Sequence, residues 1–230
     1  MCLNSCLESL SLNNAAIGYE REWSNSQVDI LVDKLSRMSR VTSLSLSDIP
    51  ITDKHLRLLL PRLNDQLKCL HLCGAYGDLS PSSPLTDGGL KAIAEHCPSI
   101  LTVDVDYQRN VGSSGIVALV QNCPNLLEIG ACGSRLGVED VRGILNVPNK
   151  LLNLSFGALG RNISNTEKQR LQNAVVSATN GRVVICTMNG LMEMNLSPEH
   201  QANQDDSMAK IKRAHEQQYD PMFCNKWEGL

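Results

Sequence analysis

The pattern L-x-x-L-x-L recurs along this chain and constrains its fold more than any other feature. It is read at Leu7/Leu10/Leu12, Val41/Leu44/Leu46, Leu67/Leu70/Leu72, Ile100/Val103/Val105, Leu126/Ile129/Ala131 and Leu151/Leu154/Phe156, with a weaker seventh copy at Val183/Cys186/Met188. The copies begin at positions 7, 41, 67, 100, 126, 151 and 183, a mean spacing of about 29 residues. Within each copy the apolar residues alternate with small or polar ones, so each reads as a short strand with one face turned to a core. A unit of this size cannot bury its apolar face alone, and three or more must stack.

The segments between the strands read as helices. Thr86-Asp87-Gly88-Gly89 leads into Leu90, Ile93 and Ala94 at helical spacing, and Thr52-Asp53 leads into Leu56, Leu59 and Leu60. Ser113-Ser114 precedes Leu119 and Val120, Val138-Glu139-Asp140 precedes Ile144 and Leu145, and Asn165-Thr166-Glu167 precedes Leu171, Val175 and Val176. Ser, Thr or Asp at such a start accepts orphan backbone N–H groups, and an acidic first turn suits the helix dipole. Prolines at positions 98, 124 and 148 stop the helices and return the chain to the next strand. Strand, helix and parallel next strand, stacked sideways, predict an α/β solenoid with parallel strands on the concave face and helices on the convex face. Only 3% of the residues are aromatic, which suits many small repeated packing layers built from Leu, Ile, Val and Ala.

The run Leu85-Thr86-Asp87-Gly88-Gly89-Leu90 through His96-Cys97-Pro98-Ser99-Ile100 resembles the cysteine-containing leucine-rich repeat, and Val111 to Leu126, ending Asn122-Cys123-Pro124, resembles it nearly as well. The resemblance is strongest over 41–160, weaker over 1–40 and 161–190, and absent from 191–230. It implies a ribonuclease-inhibitor-like horseshoe in which Cys97 and Cys123 end the convex helices and pack inward. It also implies kinship with the repeat region of F-box proteins, which recognise substrates for cullin-type ubiquitin ligases. Met1 lies six residues before the first strand pattern, so cullin-ligase subunits are expected as partners only if an F-box is supplied elsewhere. The cysteine usual nine positions into such a repeat is replaced here by Ala75, Gln108 and Ser134. The expected organisation is a repeat domain over 1–190, with about seven units and atypical terminal ones, followed by a cap or tail over 191–230. Within that last stretch, Lys210 to Gln218 has helical character, and Tyr219 to Phe223 with Trp227 would dock as a cap or serve as a short linear motif.

Residues between the core positions of each strand face the concave surface, where partners bind in this class. They run Ser9, Ser11, Asn13; Ser43, Ser45, Ser47; Cys69, His71, Cys73; Thr102, Asp104, Asp106; Glu128, Gly130, Cys132; and Asn153, Ser155, Gly157. The candidate partner-binding set is Ser43, Ser45, Cys69, His71, Cys73, Thr102, Asp104, Asp106 and Glu128. Carboxylates occupy its middle, and no Lys or Arg stands in it, so it would repel nucleic acid and attract a basic peptide. His71 reads as a solvated residue of this row, and Asp104→Lys as a change that spares stability while abolishing binding. Cys69, His71 and Cys73, with Asp104, Asp106 and Cys132 near, are soft and borderline metal ligands, but side chains about 7 Å apart along a flat strand converge poorly on one ion. Nothing supplies an oxyanion hole for a Cys–His–Asp nucleophile. The expectation is therefore a binding scaffold that is no enzyme and uses no metal or cofactor. An inhibitor or regulator capping a partner enzyme is the alternative.

Other features exclude classes. A net charge of −3 and a pI near 5.9 argue against a nucleic-acid or anionic-membrane surface. No apolar stretch reaches the roughly 20 residues of a membrane span. Nine cysteines, an odd number, behind an N-terminus without signal-peptide character point to reduced thiols and a cytoplasmic or nuclear location. The glycine turns at Gly88-Gly89 and from Gly112 to Gly115 fit no phosphate-loop spacing. The inserted Gly74 to Pro84, with Tyr76 and Ser80-Pro81, reads as a loop at the rim of the concave face.

Overall fold

The structure, a computed structural model, describes residues 7–12, 23–74, 84–157, 163–187, 190–192 and 194–218. Expected features at Asn13, Tyr76, Ser80-Pro81, and at Tyr219 to Phe223 with Trp227, lie outside the described residues.

Seven strands follow one another in chain order: β1 (Ser9–Ser11), β2 (Ser43–Ser45), β3 (Cys69–His71), β4 (Thr102–Asp104), β5 (Glu128–Cys132), β6 (Asn153–Gly157) and β7 (Val184–Thr187). Each pairs in parallel with the next. Between them lie α1 (Asn25–Leu35), α2 (Asp53–Leu63), α3 (Asp87–His96), α4 (Ser113–Asn122), α5 (Val138–Leu145) and α6 (Asn165–Thr179). The sheet ends with β8 (Gly190–Leu191), antiparallel to β7. This is the α/β leucine-rich-repeat solenoid that the periodicity predicts, and the inward positions fall as expected. Leu44, Leu70, Val103, Ile129 and Leu154 align across five strands, all 0–1% exposed.

Two local readings change. The terminal copy Val183/Cys186/Met188, whose Met188 lies outside the described residues, is out of register by one residue at Val184 to Cys186. Leu154 pairs with Ile185, so Ile185 points inward and Cys186 lies opposite Ser155 on the other face. A run of consecutive apolar residues, Val183 to Cys186, hides the alternation, and a one-residue slip exchanges the faces. The first long interval also holds α1, which carries its own start signal. Ser24 accepts the Gln27 N–H while the Gln27 side chain accepts the Ser24 N–H, and Val28, Val32 and Leu35 are buried.

The helix starts do more than cap their own helices. Asp53, in the first turn of α2, accepts the Thr86 N–H at 2.9 Å and the Thr86 hydroxyl at 2.6 Å. Asp87, in the first turn of α3, accepts the Gly112 N–H and the Ser114 hydroxyl, both at 2.6 Å. Each carboxylate thus holds the entry of the next helix, tying repeat to repeat. Asp87→Ala, which strips the acceptor from a half-buried N–H, is expected to lower stability by about 1–3 kcal/mol, and Asp87→Asn by less. Paired urea denaturation curves measure both.

Cys97 and Cys123 end α3 and α4 and are 0% and 2% exposed. The Cys123 thiol donates to the Cys97 carbonyl at 3.7 Å. Burial, then the neighbouring Cys123 and Asp65, pushes the Cys97 thiol up to about 12, and burial pushes Cys123 to about 11. A thiol that keeps its proton when folded and loses it near about 8.5 when unfolded contributes stability that is complete below that pH. It is lost as pH climbs toward the folded values. The urea midpoint should therefore fall between pH 9 and 11, and fall less in Cys97→Ala. Equal slopes in both proteins would contradict the assignment.

The last helix, α7 (Pro198–Gln218), begins twelve residues before the Lys210 start expected from sequence. Ser197 accepts the His200 N–H on its hydroxyl and the Gln201 N–H on its carbonyl, and Pro198 occupies the first helical position, where its missing N–H costs nothing. Gln204, Ser207 and Ile211 are buried on one face of α7. Gln204 donates to the Val183 carbonyl at 3.3 Å and Asn203 to the Asn180 carbonyl at 2.8 Å.

Candidate functional site

Parallel register assembles the strand face into rows. The first row runs Ser43, Cys69, Thr102, Glu128, Asn153 and Val184; the second runs Ser45, His71, Asp104, Gly130, Ser155 and Cys186. One pleat further on lie Ser47, Cys73, Asp106, Cys132 and Gly157. All nine candidate residues share this face, and β4 with β5 brings Thr102, Asp104, Asp106 and Glu128 together.

The face is not the hydrated row expected from sequence. His71 is 2% exposed, Asp104 3%, Asp106 4% and Glu128 1%, and among the nine only Cys73 is more than marginally accessible. His71 Nδ1 lies 3.9 Å from Asp104 Oδ2. Asp104 Oδ1 accepts the Asp106 N–H at 3.1 Å, and Asp106 Oδ1 accepts the Cys132 N–H at 2.8 Å. Glu128 Oε2 accepts from Asn153 Nδ2 at 3.4 Å. Ser45, Cys69, His71, Cys73, Asp104, Asp106 and Glu128 also engage in further interactions. The carboxylates are thus built into the strand network, because neighbouring strands sit close enough for a side chain to reach the next backbone.

Gly130 makes that reach possible. A Cβ there would lie 2.4 Å from Asp104 Oδ1 and 3.2 Å from Asp106 Oδ1, so the Asp104 carboxylate leans across β5 into space that only glycine leaves. The sequence signal was a glycine in the middle of a strand, which marks a close approach. Gln108 is a second such residue. Standing where the repeat usually has cysteine, it is 2% exposed and donates through Nε2 to the Leu72 carbonyl at 2.7 Å, satisfying the preceding repeat. Tyr107, on the turn after β4, has φ 64°, as Asp48 (62°) and Gly133 (74°) do after β2 and β5. A tyrosine in this left-handed region is strained.

Cys97 and Cys123 are free thiols. Among the described residues, no group of three or more His, Cys, Asp or Glu side chains is arranged to hold a metal ion. No helix among them is long and apolar enough to cross a membrane.

Fold and face together define a leucine-rich-repeat solenoid with an acidic-centred strand face. No protein-family model matches the chain, and no curated protein matches it. Solved structures to which the chain is similar include the tropomodulin C-terminal domain of Caenorhabditis elegans, at 11% identity and a TM-score of 0.40, covering 84% of this chain and 98% of that one. Leiomodin-1 actin-binding site 2 gives 13% identity and a TM-score of 0.40 over 86% and 98%. The leucine-rich-repeat-containing protein LegL7 of Legionella pneumophila gives 13% and 0.33 over 76% and 75%.

Proposed function

We propose that this chain is a protein-interaction scaffold whose strand face receives a Lys- or Arg-bearing segment of a partner protein. The observation that carries the reading is the gathering of Asp104, Asp106 and Glu128 on the adjacent strands β4 and β5 and the turn after β4, on a face whose strand positions hold no Lys or Arg. A non-catalytic role is supported by the backbone donors beside the His71–Asp104 pair. The N–H groups of Asp106 and Cys132 are committed to carboxylates rather than poised for an oxyanion. Because the candidate carboxylates are almost fully buried, a partner reaches them only as the face opens, and binding should change amide protection along β4 and β5.

The test uses the full chain and fluorescein-labelled peptides that are Lys-rich, Arg-rich or Glu-rich. The basic peptides should bind, more weakly at high salt, and the double variant Asp104→Asn with Asp106→Asn should lose about tenfold in affinity. Equal binding of acidic and basic peptides would overturn the reading.

Two finer assignments remain within it. The Cys-Pro helix ends favour substrate recognition for a ubiquitin-ligase-type complex, with an F-box supplied elsewhere; the alternative is an inhibitor or regulator of a partner enzyme. Affinity purification with mass spectrometry separates them. Cullin-ligase subunits support the first, and one stoichiometric enzyme without them supports the second. Residues 1–190 form the binding unit in this reading, with 191–230 as a cap or tail; a capping role for α7 is supported by its contacts with the Asn180 and Val183 carbonyls.

A further inference from the structure

Among the described residues, the acidic strand face contains a buried group that is chemically incomplete. Asn153, 4% exposed, has a side-chain oxygen with no hydrogen-bond partner among the described residues. The orientation of its amide is set from the other side, because Nδ2 donates to Glu128 Oε2 at 3.4 Å and a flipped amide would set its oxygen against a carboxylate. A buried acceptor left without a donor is costly and uncommon in folded proteins, so this position calls for a donor. The kind of donor follows from the neighbourhood. Glu128, 1% exposed, is one strand away in the same row, Thr102 lies on its other side, and Val184 lies beyond Asn153. A carboxylate accepts several hydrogen bonds, so a cationic donor can reach the amide oxygen and add to the bonds of Glu128 at once, with charge complementarity that a neutral donor lacks.

We infer that Glu128 and Asn153 form a subsite for a single protonated primary amine, the ammonium of a lysine side chain presented by the partner. The ammonium has three donors, enough for Asn153 Oδ1, the Glu128 carboxylate and the Thr102 hydroxyl, and its alkyl stem is thin and apolar enough to pass along the row beside Val184. A guanidinium is planar and broader, so lysine is preferred to arginine. This inference rests on the strand-face reading above and names the group recognised there.

The experiment follows the Asn153 side-chain amide signals of the isotopically labelled full chain by NMR during titration with Nα-acetyl-lysine methylamide. The Nε-acetylated counterpart and the arginine equivalent are controls. Saturable shifts with the lysine probe alone are expected, weakened at least tenfold in the isosteric Glu128→Gln and in Asn153→Leu. Urea midpoints check that both variants fold; if either does not, the selectivity of the wild-type shifts decides. Shifts that are absent, or equal for all three probes, mean that the amide oxygen is met by an ordered water only, and they overturn the subsite. The labelled basic peptides separate this from the broader reading. Peptide binding that survives Glu128→Gln but not the Asp104/Asp106 double variant overturns the subsite and leaves the scaffold reading standing. A lysine-specific shift without peptide binding does the opposite.

Discussion

Leu154→Ala and Leu70→Ala should each lower the unfolding free energy by roughly 2–5 kcal/mol. Both side chains are 0% exposed. Leu154 sits in register between Ile129 and Ile185, and Leu70 between Leu44 and Val103. Truncation therefore leaves a void bordered by two neighbouring repeats, and the loss includes part of two interfaces as well as one side chain's transfer energy. Urea denaturation followed by circular dichroism measures it, with Leu58→Ala as the reference. Leu58 is 55% exposed on the outer side of α2, and its truncation should fall within about 0.5 kcal/mol of wild type. If Leu58→Ala proved as damaging as Leu154→Ala, the assignment of inward and outward faces would be wrong.

The second large effect reverses the expectation drawn from sequence. Asp104→Lys was expected to spare the fold, on the reading of Asp104 as a solvated member of an open face. Asp104 is instead 3% exposed, accepts the Asp106 N–H, and lies against Gly130. Lysine there removes the acceptor, forces a longer chain into the space above Gly130, and buries a cation. The combined cost is about 3–5 kcal/mol. Asp104→Asn keeps an oxygen acceptor of the same size and should cost much less. A Lys variant with a wild-type urea midpoint would show that the row is open in solution. For the same reason, loss of binding in Asp104→Lys would say nothing about recognition, and the neutral isostere is the variant that tests the face.

The same contrast runs through the candidate site. Which residues share the strand face was legible from alternation alone, because a two-residue period allows only two faces. The legibility failed at Val183 to Cys186, where apolar residues occupy both faces and nothing in the pattern distinguishes them. It failed also for the role of Gly130. A mid-strand glycine announces close approach but does not name what approaches, and the Asp104 carboxylate comes from another strand. Asn153 was placed on the right face, but its unsatisfied oxygen depends on Glu128 fixing the amide from β5.

The sequence by itself determined the repeat, the inward leucines and the helix starts at Thr52-Asp53 and Thr86-Asp87, whereas the inward Cys97 and Cys123 were implied by the resemblance to the cysteine-containing repeat. These are local matters of period, capping and helix termination, each settled within one repeat. Only the tertiary structure decided that Asp53 and Asp87 bind the next helix's entry, that β8 folds back on β7, that α7 lies on the last repeat, and that the acidic row is buried. Apart from the local β7–β8 turn, those outcomes depend on distances between residues about 20 to 40 positions apart in the chain, which stacking geometry sets and linear spacing does not encode.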